Sequence, residues 1–571
     1  MKLRKLLCIL VILSFLLSAL TACAGSSGSK TDTTGSDTAK TEETVPTESK
    51  APDQSVEPPE GSGNPGEMPQ SPDGSGNPGE MPQPPDGTWN PDEMPQPPDG
   101  SGNPGEMPQP PDGNGNPGEM PQPPDGNGNP GNPPEGGPGG MPPGNPPDGG
   151  PGGPGGTPPG GPGGGSADID YTGAVEIRSA ETQEGKTYAS KTVDESALLI
   201  STSDEVSITN PTVTKTGSSN GGDNCNFYGL NAAVLAKDGA KVSITGGSIS
   251  SDADGANGAF CYGGNGGRNG AEGDGTTLTI RDTKIRTTGS GSGGIMTTGG
   301  GVTYAYNLDV ETSGQSSAPI RTDRGGGQVY VDGGTYTSNG LGSPAIYSTA
   351  EIHVANARLL SNLSEGAVIE GLNSIELTDC EMSANNTQRN SNATFLDSVM
   401  LYQSMSGDAA NGTSHFTMTG GSLTSMSGHI FHVTNTNAVI TLQNVKLVNE
   451  DKENILLSVC DDGWSGGSNR AELKAIAQTL EGAVKVGSNS TLTLELTEGS
   501  SFEGTIDGSI TNAAGKTVST ETGTVSITLD ADSTWTLTGD SWVTEFHGSA
   551  ANVVSNGHTL YVNGVALTGT N

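Results

Sequence analysis

Gln328 to Leu377 reads QVYVDGGTYTSNGLGSPAIYSTAEIHVANARLLSNLSEGAVIEGLNSIEL, and within it Val329-Tyr330-Val331, Ile352-His353-Val354 and Ile375-Glu376-Leu377 are one apolar-polar-apolar triplet written three times. Each triplet is a minimal strand with one face turned in and one turned out. From Val331 to Val354 to Leu377 the step is 23 residues each time, a period that belongs to a solenoid coil rather than to a run of hairpins. The triplet recurs on both sides, as Val206-Ser207-Ile208, Val242-Ser243-Ile244, Leu278-Thr279-Ile280, Phe416-Thr417-Met418, Ile440-Thr441-Leu442 and Leu492-Thr493-Leu494. Met418 to Leu442 repeats the step at 24 residues.

A coil holds two or three strand pieces. Ala345-Ile346-Tyr347-Ser348 leads to the triplet Ile352-His353-Val354, then to a turn, then to Arg358-Leu359-Leu360. Gly246-Gly247, Gly333-Gly334 and Gly420-Gly421 fall directly after triplets, where glycine supplies the backbone angles of a corner. Coils stacked in parallel leave sheet edges only at the two ends. Aromatic residues are 4% of the chain, so Ile, Val, Leu, Ala and small polar residues must fill the core, which suits a narrow solenoid. The fold class read from this pattern is all-β, a parallel β-helix.

The ends are of other kinds. Lys2, Arg4 and Lys5 precede an apolar run from Leu6 to Leu20, a signal-peptide core too short for a comfortable membrane span. Leu20-Thr21-Ala22-Cys23 resembles the lipobox of bacterial lipoproteins. The resemblance implies removal of residues 1–22, diacylation of Cys23 and anchorage at the outer face of the plasma membrane. Residues 23–166 carry 13-residue units such as Ser75 to Gly87, SGNPGEMPQPPDG, with almost nothing to bury, and read as a disordered stalk. The stalk has a net charge of −18, whose self-repulsion favours extension, and residues 167–571 carry −24. An acidic surface of that size repels nucleic acid, and accepts an acidic polysaccharide only through bridging divalent cations.

Four cysteines remain in the folded part: Cys225, Cys261, Cys380 and Cys460. Their spacing is not that of a metal clip, and most are expected to be single thiols. The 36 residues between Cys225 and Cys261 equal the gap between neighbouring triplets, which makes these two the pair to check for a bond.

The pattern resembles the right-handed parallel β-helix of the pectate-lyase-like superfamily, well over about 200–500 and loosely beyond. There Val525-Ser526-Ile527-Thr528-Leu529, Trp535-Thr536-Leu537 and Thr559-Leu560-Tyr561-Val562 look like shorter coils or a cap. Handedness follows from the resemblance and from the rule for parallel crossovers. A lipoprotein with such a stalk and helix is similar to surface proteins of Gram-positive bacteria, and a related β-helix family binds cellulose and acidic sugars. Function itself is not carried by fold.

Insertions cluster at one point of the repeat: Gly263 to Gly275, Ser404 to Ser414 and Asp461 to Asn469. They are expected to wall a groove in which outward residues line up as Arg321, Asp323 and Arg324, then Tyr347, Glu370, Tyr402 with Gln403, and His432. Guanidinium groups grip carboxylates and sugar hydroxyls, and tyrosine rings stack on pyranoses. The competing reading of the arginines and aspartate is a surface ion ladder of little energetic weight. Trp464, beside Asp461 and Asp462, either folds back onto the helix or offers a sugar platform. Calcium is the expected cofactor, with Asp323, Glu370, Asp461 and Asp462 as candidate ligands. The function expected is binding of an extracellular polysaccharide or cell-wall glycan. One alternative is a polysaccharide lyase, in which the resemblance would assign the base to Arg321 or Arg324, with Asp323 nearby. The other is a protein-binding adhesin or structural spacer.

Overall fold

The computed structural model describes residues 169–571, apart from 267–271 and 465–466. The leader, Cys23 and all of the stalk lie outside the described residues, as do parts of the Gly263 to Gly275 and Asp461 to Asn469 insertions. The described chain is a parallel β-helix with three faces.

The first face is a thirteen-stranded sheet running from Thr172–Ile177 to Ile506–Asp507, each strand parallel to its counterpart in the next coil. The second face carries the triplets. Val331, Val354 and Leu377 stand in direct register, and so do Val206, Val242 and Leu278, so the sequence period is the coil itself. None of the eighteen apolar residues of the nine triplets is more than 4% exposed. Burial of each such side chain contributes roughly 1.5–3 kcal/mol.

Between second and third faces the chain turns at one repeated position with a left-handed residue: Asn210, Gly246, Asp282, Asn307, Gly333, Asn356, Asp379, Gly420 and Asn444. Glycine, asparagine and aspartate are the residues that tolerate this conformation. At Gly247, which follows the corner with φ 73°, a Cβ would lie 2.1 Å from the Pro211 carbonyl oxygen of the coil below, so no other residue fits. Strands Gly301–Thr312 and Gly327–Ser338 run round this corner unbroken and join the two faces into one twenty-two-stranded sheet.

One coil escapes the triplet rule. Thr303-Tyr304-Ala305 pairs with Leu278-Thr279-Ile280 on one side and Val329-Tyr330-Val331 on the other. Thr303 and Ala305 are both fully buried, and the Thr303 hydroxyl is matched by that of Thr297 at 2.6 Å. A small or self-satisfied polar residue therefore serves where the pattern asks for a large apolar one.

Coils continue past residue 500. Thr524–Leu529 stacks on Ser490–Thr497, and Glu545–His547 stacks on it in turn. Parallel pairing ends at the antiparallel hairpin of Leu560–Val562 with Val565–Ala566, so the cap is much shorter than the last 70 residues. Cys225, Cys261, Cys380 and Cys460 are buried free thiols. The 36-residue match of Cys225 with Cys261 is not a coil register, because Cys261 pairs with Ala236 while Cys225 lies in the short helix Asp223–Tyr228. Burial pushes the Cys261 thiol up to about 12.

Candidate functional site

The row expected to line an open groove lies on the outer side of the first face, and it is covered. Arg321, Asp323, Tyr347, Glu370, Tyr402, Gln403 and His432 are each at most 7% exposed. Register divides them into two files, one running Arg321, Tyr347, Val368, Met400 and His432, the other Glu370 and Tyr402. Ser404 and Asp408 of one insertion and Trp464 of another fold over the sheet. Trp464 packs against Tyr402 at 4.9 Å and joins Ala318, Tyr347, Val368 and Met400 in a second apolar cluster. Trp464 is thus a packing residue, 7% exposed, and not an open platform.

Most polar groups in this covered layer are bonded to one another, although among the described residues Arg321 Nε and Trp464 Nε1 have no partner. Glu370 accepts from the Tyr347 hydroxyl at 2.5 Å, from the Tyr402 hydroxyl at 3.1 Å and from Ser404. Burial raises its pKa, and the Ser404 and Tyr347 bonds oppose the rise. Asp323 accepts from Arg321 at 2.6 Å and from the Arg324 amide at 3.0 Å; burial pushes it up to about 7 against the pull of Arg321. Arg321 also donates to the Ser316 carbonyl at 2.8 Å. Arg324 donates from Nε to Asp408 at 3.1 Å and lies over the Phe227 ring at 4.2 Å. Both guanidinium groups named for the lyase reading are therefore engaged within the protein.

The four candidate calcium ligands do not meet. Asp461 accepts from Asn469 at 2.5 Å. Asp462 accepts from the Thr394 and Gly463 amides at 2.6 Å and faces His432 Nε2 at 3.4 Å. Burial acts to raise the Asp462 pKa, but His432 holds it below the usual carboxylate range. Asp323 and Glu370 sit in the networks just described. Among the described residues no group of three or more His, Cys, Asp or Glu is placed to hold a metal ion.

The open surface is the outer side of the second face. Three files of outward side chains cross the coils between residues 301 and 415, two residues apart along each strand. The first runs Gln328, Glu351, Ser374 and His415. The middle file runs Tyr304, Tyr330, His353 and Glu376, and the third runs Tyr306, Asp332, Ala355 and Thr378. In the middle file the rings form a column: Tyr304 on Tyr330 at 5.3 Å and 13°, Tyr330 on His353 at 5.1 Å and 7°. Tyr304, at the end of the column, is 36% exposed. His353 is held between Glu351 at 2.9 Å and Glu376 at 3.1 Å, and the hydrogen bond to Glu351 raises its pKa. Arg281 covers the Tyr306 ring at 3.6 Å.

Cavities flank this surface. One of about 320 Å³ lies between the middle and third files, floored by Val331, Val354 and Ala355. Beyond the first file, at the corner with the first face, a cavity of about 560 Å³ is lined by Gly300, Gly326, Gln328, Glu351, Leu372 and His415. The next coils carry one of about 720 Å³ lined by Gln403, Ser404, Asn411, Asn435, Asn437 and Ser468. Gln403 is thus a predicted residue that does border an open cavity, and among the described residues its buried Oε1 has no protein partner. The last cavity is walled by the Ser404 and Asp461 insertions, so these do wall a groove, displaced to the corner of the first face. Taken in coil order, the two corner cavities make a run along the solenoid axis with glycine walls, amides, carboxylates and hydroxyls.

No family model matches the chain, and no curated protein or solved structure matches it. The column of Tyr304, Tyr330 and His353 was present in the sequence as the middle residues of consecutive coils. The skipped coil at Thr303 hid its first member, and a 23-residue register applied to outward positions would have found the rest.

Proposed function

We propose that this protein is a lipid-anchored surface protein whose β-helix, a relative of the pectate-lyase-like superfamily, binds an extracellular polysaccharide across the outer side of its second face and the adjoining corner groove. The observation that carries the reading is the register: it stacks Tyr304, Tyr330 and His353 of consecutive coils into one column with polar side chains on either side, so a polymer lying along the axis meets rings and hydrogen-bonding groups coil after coil. The outward edges of the stacked Tyr304 and Tyr330 rings give a narrow apolar rib against which sugar rings pack. Gln328, Glu351, Ser374, Asn411 and Asn437 give the donors and acceptors that sugar hydroxyls require. With Glu351, Glu376 and Asp332 on this surface, a neutral glycan binds directly, whereas an acidic one needs calcium shared between polymer and protein carboxylates.

The test is retention of the purified protein on insoluble cellulose and on immobilised polygalacturonate, with calcium and with chelator, while the supernatant is assayed for cleavage products. Retention without products supports the reading, and dependence on calcium assigns the cation its bridging role. Products would replace it with an enzyme. Absence of retention on any glycan, with attachment to cells preserved, would replace it with an adhesin.

A further inference from the structure

We infer that the C-terminal end of the solenoid carries a second sugar site, distinct from the surface above: the cavity of about 420 Å³ beside Trp542, which takes a single pyranose ring such as the end of a glycan chain. That volume is at the small end of ligand sites, which run from about 300 to 1,000 Å³.

Of the tryptophans in the described residues, Trp464 and Trp535 are buried, while Trp542 is 42% exposed. Leaving an indole in water has a cost that packing would normally remove. Trp542 is held rigidly in that exposed position. It stacks on Tyr561 of the next strand at 5.6 Å and 9°, in direct register, and this fixes the ring plane and covers one side. Its strand is tied down at both ends, by the Ile506 amide donating to Ser541 Oγ at 3.1 Å and the Asn563 amide donating to the Val543 carbonyl at 2.8 Å. Trp542 lines the cavity and Tyr561 does not.

The rest of the lining is made for hydroxyl groups. Asp507, Ser509, Glu521, Thr544 and Asn563 surround the indole. Asp507 is fixed by Lys485 at 2.8 Å and by the Ser509 amide at 2.8 Å, so its carboxylate has a set orientation. An apolar side chain or a lipid tail filling this space would strip water from Asp507 and Glu521 without offering donors, which is costly. A pyranose covers the indole with its CH face and donates its hydroxyls to the carboxylates at the rim, so both halves of the lining are satisfied.

Isothermal calorimetry on the purified protein with tetrasaccharides of glucose, N-acetylglucosamine and galacturonate decides the matter. We expect saturable binding of at least one, weakened about tenfold or more by Trp542→Ala, several-fold by Glu521→Gln, and least by Trp542→Phe, which keeps an aromatic ring. Lys446→Ala, on the third face and away from both surfaces, leaves this binding unchanged. Equal affinity in Trp542→Ala, an equal loss of binding in Lys446→Ala, or no saturable binding of any of the three would overturn the assignment. Failure here with polysaccharide retention intact would leave the second-face reading standing.

Discussion

Trp535→Ala would show whether the solenoid behaves as a stack of coils whose stability is local. Trp535 is fully buried in strand Thr534–Leu537, stacks on Phe502 at 5.6 Å and 21°, and donates from Nε1 to the Gly504 carbonyl at 3.1 Å. Its neighbours in register are Phe502 below and Val553 above. Truncation of a buried aromatic of this size costs about 3–5 kcal/mol, and the orphaned Gly504 carbonyl places this case toward the upper end. In a quasi-one-dimensional fold the loss falls on the coils that touch the site, not on the whole chain. At 1.4 kcal/mol for each factor of ten, opening of the terminal coils becomes more frequent by about three to three and a half orders of magnitude. Hydrogen exchange read by mass spectrometry should therefore speed up by that factor in Thr524–Leu529 and Thr534–Leu537, and stay at its wild-type rate in Glu351–Ala355. Uniform acceleration along the whole helix, or none anywhere, would refute this reasoning.

Three further outcomes follow from particular residues. Asp397 is buried, among the described residues its Oδ1 has no partner, and its pKa is raised well above the usual carboxylate value by burial and then by Glu365 and Asp462. The folded state keeps this proton where the unfolded chain has lost it, so the stabilisation is full below about pH 4 and declines as pH rises toward the folded pKa. Urea midpoints of the wild type should fall from pH 5 to pH 8, and Asp397→Asn should fall less and be the more stable at pH 8; a parallel decline in both would remove Asp397 as the cause. Cys225, Cys261, Cys380 and Cys460 should resist a thiol reagent in native protein and react once it is denatured, with no disulfide mass loss in any peptide. Gly247→Ala places a Cβ against the Pro211 carbonyl in a left-handed position and should lower the unfolding midpoint clearly, whereas Gly515→Ala, also left-handed but in open space, should cost only about 1 kcal/mol.

The fold was legible because the second-face strand obeys a simple physical rule at fixed spacing. Two apolar residues bracket an outward one, and a residue able to adopt positive φ follows. The coil at Thr303 broke the rule since buried threonine and alanine are invisible to a test for large apolar residues. The site was less legible. Arg321, Tyr347, Glu370 and Tyr402 do point away from the core, as strand alternation requires. Whether an outward residue meets solvent depends on where Trp464, Asp408 and Asp462 fold, and loop placement leaves no periodic trace. Apolar residues at Val368 and Met400, in the same file as Arg321, were the available sign that this outer side is covered. Gln403 borders an open cavity because it sits at the edge of an insertion, where covered layer and open corner meet.

The most direct measurement is retention of Tyr304→Ala/Tyr330→Ala on whichever polysaccharide holds the wild type, beside Lys446→Ala on the third face as control. Removing both rings takes away the apolar rib, about 0.5–1.5 kcal/mol for each aromatic contact beyond its area. Binding by the second face predicts at least a tenfold loss of retention with circular dichroism unchanged and Lys446→Ala held as tightly as wild type. Undiminished retention of the double variant would contradict it.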